Sequence, residues 1–267
     1  MARHAREPSP PRPRQPRRAP VVSAALVLLL VLLVTAGWLH TSGRWPFTPD
    51  AGPAPALRTS PPVLGGPVIV VGPATALAVL ATLPVKGRAP SNNYQRSAFG
   101  EAWLDADANG CDTRNDILRR DLTDLTFTDG SLCTVAAGTM MEPYTGRQIS
   151  FQRGKDSSGA IQIDHVVALG NAWQTGAAAL TAQQRQSLAN DPLNLLAVDG
   201  PANQEKSDGD AATWLPPEKK IRCLYVARQI SVKAAYQLWV TPAEKVAMER
   251  ILGLCPKQQS LPSGYLP

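Results

Sequence analysis

His165 is the histidine around which this sequence could organise chemistry. The chain has three His; His4 lies in an arginine-rich tail and His40 at the edge of a long apolar run. His165 follows Asp164 near the end of residues 160–167, whose apolar–polar alternation reads as a strand. An imidazole with an ordinary pKa of about 6.5 is largely neutral at neutral pH and can accept a proton. A lone histidine is more often a satisfied structural residue, so the residues that follow it matter. Asn194 to Val198 reads as a second short strand, Asp199-Gly200 as a turn, and Pro201 opens a helix behind an Asp cap. That helix carries Asn203 and Lys206, three apart and so on one face. A second cluster offers only oxygen. Asp105, Asp107 and Asn109 before Gly110 match the opening of an EF-hand-type calcium loop. Asp116 stands at its twelfth position where a bidentate Glu is usual, and Cys111 at its seventh. The competing reading is an Asp/Asn-rich turn.

The elements that must position these groups are partly legible. Pro73 to Leu83 reads as a helix opening the folded part, and Ile149 to Arg153 as a strand. Ile221 to Val240 has apolar residues at helical spacing. Thr241-Pro242-Ala243-Glu244 is a capping box with Pro in the first turn, so a second helix runs from there to near Gly253. Two helices on so short a turn run antiparallel, which brings Cys223 near Cys255 and leaves Cys111 to pair with Cys133. No cysteine pair has C-x-x-C spacing, so a zinc cage has little support; four unpaired thiols are the alternative to two disulfides.

The ordered set resembles the HNH, or His-Me finger, nuclease superfamily. Asp-His closes the first strand, Asn begins the second, and Asn stands on the helix in place of a final His. The spacing of Asn194, Asn203 and Lys206 resembles that in the HNH domain of RNA-guided CRISPR nucleases. A wider set is similar to exported actinobacterial HNH endonucleases related to the C-terminal domain of GmrSD modification-dependent restriction enzymes. It comprises Phe99 to Trp103, Asn109 to Asp116, Pro143 to Gly146, Gln162 to Leu169, Asn190 to Gly200 and Tyr225 to Val240. The likeness spans about Leu77 to Cys255. It implies an α+β fold with a ββα-metal core, additional helices and a C-terminal helical hairpin, and metal-dependent hydrolysis of nucleic-acid phosphodiesters, with DNA as the expected substrate. In that reading Asp164 and Asn203 ligate a divalent cation, Mg²⁺ or else Mn²⁺. His165 is the general base, Asn194 fixes its tautomer, and Lys206 meets a phosphate oxygen. Arg153 is a weaker candidate for the phosphodiester. Arg114 and Asn115 receive no role, and Trp173 reads as core.

Charge and the N-terminus bear on location. The chain carries 27 Lys plus Arg against 21 Asp plus Glu, a net +6. Residues 1–20 hold six Arg and one Glu, so almost all the excess sits in a tail and says nothing of what the folded part binds. Val21 to Leu39 is uncharged and apolar, long enough for a membrane anchor and also readable as a cleaved signal peptide. Either puts the remainder outside the cytoplasm, where an even cysteine count favours disulfides. Residues 40–72 form a Pro/Gly-rich linker, 73–256 the expected nuclease domain and 257–267 a tail. No protein partner is expected. The rival reading is a non-catalytic cell-envelope binding module whose calcium loop is structural.

Overall fold

The computed structural model describes residues 72–262. The expected basic tail, apolar segment and all but the last residue of the linker lie outside them. Among the described residues no helix is long and apolar enough to cross a membrane.

Helix α1 (Ala76–Thr82) starts where Thr75 accepts the Ala78 amide. Helix α2 (Thr113–Asp121) starts likewise, with the Asp112 carboxylate accepting the Asn115 amide at 2.8 Å. Strands β1 (Thr123–Phe127), β2 (Val135–Met141) and β3 (Gln148–Gln152) then form an antiparallel meander. Strand β4 (Ile161–His165) pairs with none of these. It pairs antiparallel with β5 (Leu195–Asp199), placing His165 opposite Leu195 and Asp164 opposite Leu196. Between the two lie α3 (Leu169–Gln174) and α4 (Ala182–Asn190), the latter opened by a Thr181–Gln184 capping box.

Helix α5 (Gly200–Lys206) follows β5 at once, with the Asp199 carboxylate accepting the Ala202 amide. Only glycine fits at residue 200, because a Cβ there would run into the Gly159 carbonyl oxygen. This close approach lays α5 across the hairpin. Strand, strand and helix thus occur in the expected order.

Helices α6 (Arg222–Ala235) and α7 (Pro242–Leu252) form the C-terminal hairpin. Thr241 and Glu244 make both hydrogen bonds of the predicted capping box. The expectation of a helix through Val240 is corrected: α6 stops at Ala235, because Gln237 enters the left-handed region (φ +54°) and turns the chain. A buried Lys233–Glu244 ion pair (2.8 Å) ties the two helices. Cys223 is bonded to Cys255 and Cys111 to Cys133.

The β4–β5 hairpin separates two apolar clusters. Ile161, Ile163, Leu195 and Ala197 pack with Ile117, Leu118 and Phe151. Val166, Val198 and Ala202 join the cluster built on α1, α6 and α7. Alternation in β4 therefore reflects two faces with different neighbours. Ile161, Ile163 and His165 share one face; Gln162 and Asp164 share the other, beneath α5.

Candidate active site

His165 sits at the last position of β4, 8 % exposed. Its Nε2 lies 2.8 Å from the Ala189 carbonyl oxygen at the end of α4. A carbonyl can only accept, so Nε2 carries the proton and the lone pair of the neutral ring is on Nδ1. Burial lowers the pKa to about 3. The Ala189 bond opposes that shift, and the charges of Arg96 and Lys206 add to it. The indole of Trp103 lies nearly parallel to the imidazole, with 6.5 Å between centroids and 17° between planes.

Asp164 points the other way, into a buried polar knot. Its Oδ2 accepts the Tyr144 hydroxyl at 2.5 Å and its Oδ1 the Lys206 ammonium at 2.9 Å. Burial raises the carboxyl above its ordinary value, and Lys206 and Tyr144 offset part of that. Lys206 is itself buried and also donates to the His165 carbonyl at 2.9 Å. The expectation that Lys206 meets a phosphate is therefore corrected. Its ammonium neutralises Asp164 and clamps the end of β4, out of a substrate's reach.

Two clefts meet at His165. A polar one of about 270 Å³ is lined by Arg96, Asp164, His165, Asn203, Ser207 and Asp208 among others. A mainly apolar one of about 260 Å³ is lined by Arg96, Phe99, Trp103, His165, Leu169 and Ala189 among others. The structure thus brings Asp164, His165 and Asn203 to one cavity.

Other expected residues lie elsewhere. Asn194 makes no hydrogen bond to the imidazole; its Oδ1 accepts the Val167 amide at 2.8 Å and its Nδ2 donates to the Val167 and Leu188 carbonyls. It anchors the exit of β4 to the end of α4, and the Ala189 carbonyl takes the role expected of it. Arg153 lines neither cleft. Its guanidinium is spent on the Val135 carbonyl and Asn115 Oδ1, fastening β3 to β2 and α2. Trp173 packs with Tyr94 and Phe99. In the expected calcium loop, Asp105 accepts the Asn109 and Gly110 amides, and the Asn109 side-chain amide bridges Asp107 and Asp116. Burial raises the Asp116 carboxyl pKa, and neighbouring Asp107 and Asp105 add to it.

The sequence profile of the C-terminal domain of GmrSD restriction endonucleases matches residues 112–251, from the cap of α2 into α7. The chain belongs to the GmrSD C-terminal domain family. The matched span contains the hairpin, α5 and each of Asp164, His165, Asn194, Asn203 and Lys206. An uncharacterized secreted protein of Arthroderma benhamiae is 37 % identical over 204 residues, which is 76 % of this chain and 95 % of that one. No solved structure matches the chain.

The donors in this GmrSD-type domain can be tested against a divalent cation. Asn203 commits Nδ2 to Gln162 at 2.9 Å, leaving Oδ1 unbonded. The Asp164 carboxylate accepts from Tyr144, Lys206 and the His165 amide and still keeps a lone pair. Among the described residues no group of three or more His, Cys, Asp or Glu side chains is set to hold a metal. One carboxylate and one amide oxygen, completed by water, is the sparse set that Mg²⁺ accepts. The donors fit, with the Lys206 charge weakening the site.

Four lining residues escaped the sequence reading. Arg96 and Trp103 belong to or adjoin a family-like stretch, which signalled their region but not their role. Asp208 follows α5 without any pattern to mark it. Ala189 acts through its backbone, which no side-chain motif records.

Proposed function

We propose that this chain is an exported, metal-dependent endonuclease of the HNH type that hydrolyses nucleic-acid phosphodiesters, DNA among them. The observation that carries this reading is the His165 ring, tied through Nε2 to a carbonyl, with Asp164 and Asn203 lining the same polar cleft. Export is supported by a relative named as secreted and by two disulfides. Asp164 and Asn203 would hold one Mg²⁺, which when bound relieves charge on the phosphate and on the leaving oxygen. His165 Nδ1 takes a proton from the attacking water as its oxygen bonds to phosphorus and the phosphorus–ester oxygen bond breaks. A pKa of about 3 keeps the ring neutral but makes it a weak base. A bound phosphate, being negative, raises that value toward the working range. Arg96 offers a guanidinium at the mouth of both clefts, and Lys206 holds Asp164 and His165 in place.

The test is the full-length chain on supercoiled plasmid with Mg²⁺, Mn²⁺, Ca²⁺ or EDTA, beside His165→Ala. Nicking that needs the metal and falls by roughly 10²–10⁴-fold in the variant is expected. A folded wild type that cuts neither plasmid nor single strand under any metal overturns the reading and favours the binding module.

A further inference from the structure

We infer that the apolar cleft beside His165 is a subsite for one unpaired nucleobase, stacked on Trp103, of a nucleotide adjoining the scissile phosphate. The inference rests on the phosphodiesterase reading above and gives it a substrate class: single-stranded or locally unpaired nucleic acid.

The two clefts are contiguous, sharing Arg96, His165 and Leu169. A nucleotide has the same division, a charged phosphate and a flat apolar base joined by a short sugar. With its phosphate before His165 in the polar cleft, its base is carried past the imidazole into the apolar one. There the walls are Phe99, Ala102, Trp103 and Ala189, and a volume of about 260 Å³ has room for a flat base. A base in a duplex is covered on both faces by its neighbours, so it must leave the stack to meet the indole.

Trp103 is held as a platform. Its backbone lies in the left-handed region (φ +59°), a conformation that a bulky residue adopts only where its surroundings impose it. The Arg114 guanidinium lies 6.0 Å from the ring centroid, and the imidazole plane runs nearly parallel. Arg96, Phe99 and Trp103 all precede residue 112, where the family match begins.

The experiment uses the full-length chain and a labelled single-stranded DNA carrying one tetrahydrofuran abasic analogue, with every cleavage position resolved on a denaturing gel. Wild type is expected to leave a gap in its ladder: about tenfold less cutting at one phosphodiester at a fixed offset from the missing base. It is also expected to cut single strands faster than duplex. In Trp103→Ala the gap fills and the strand preference falls; Trp103→Phe, which keeps an aromatic face, retains both and so separates a lost platform from a lost fold. A wild-type ladder without a gap, or a gap that persists in Trp103→Ala, overturns the subsite while leaving the nuclease reading intact. A folded wild type that cuts no nucleic acid overturns both.

Discussion

A histidine whose Nε2 proton is committed to a backbone carbonyl can act as a base only through Nδ1. His165 is in that state, and burial drives its pKa from an ordinary value near 6.5 to about 3. The consequence reaches stability. Between about pH 6.5 and 3 the unfolded chain protonates this imidazole and the folded chain does not, so unfolding takes up a proton. Stability from this residue is complete above pH 6.5 and is lost as pH falls toward 3, with a slope of at most about 1.4 kcal/mol per pH unit. His165→Gln, which cannot titrate, should show a shallower acid decline than wild type. Urea melts in EDTA from pH 7 to 4 measure the difference, and parallel curves would show an imidazole that titrates normally.

The polar knot works at the scale of the hairpin and α5. Lys206 spans from α5 to Asp164 and to the His165 carbonyl, and both charged partners are buried. Removing the cation alone leaves a buried carboxylate uncompensated, so Lys206→Met should cost about 3–5 kcal/mol. Asp164→Asn combined with Lys206→Met should cost less than the sum of the single changes. Denaturation midpoints of the four proteins provide the check, and additive losses would mean the pair is not coupled. The sequence made the elements legible here because each is locally encoded: alternation in 160–167, an Asp cap before α5 and a proline in its first turn, a capping box at the start of α7. It misled on Lys206, since a lysine on a short helix reads as solvated until α5 is known to lie on the hairpin. Arg153 misled similarly, because the partners that consume its guanidinium, Val135 and Asn115, are distant in sequence. Asn194 reads as a partner for the imidazole, yet its bonds go to Val167 and Leu188. Nothing in a one-dimensional pattern distinguishes which backbone oxygen, Ala189 or another, will receive an imidazole proton.

Across the described residues, the two disulfides hold different parts of the scaffold. Cys111–Cys133 ties the loop that follows Trp103 to the chain entering β2. Cys223–Cys255, separated by 32 residues, closes the α6–α7 hairpin and contributes no residue to either cleft. Its stabilisation arises chiefly from restricting the unfolded chain, about 3–4 kcal/mol for a loop of that length on the chain-entropy view. The same hairpin has a second tie in the buried Lys233–Glu244 pair and an apolar interior of Val226, Ile230, Met248 and Leu252. The paired change Cys223→Ser and Cys255→Ser should therefore leave a folded protein with a lower urea midpoint, and plasmid cleavage per folded molecule unchanged under conditions far from that midpoint. Denaturation and cleavage measured on one preparation separate the two effects. A drop in cleavage without a drop in folded fraction would show that α6 transmits its position to β4, for which Gln229 donating to the Val166 carbonyl at 3.1 Å is the direct connection.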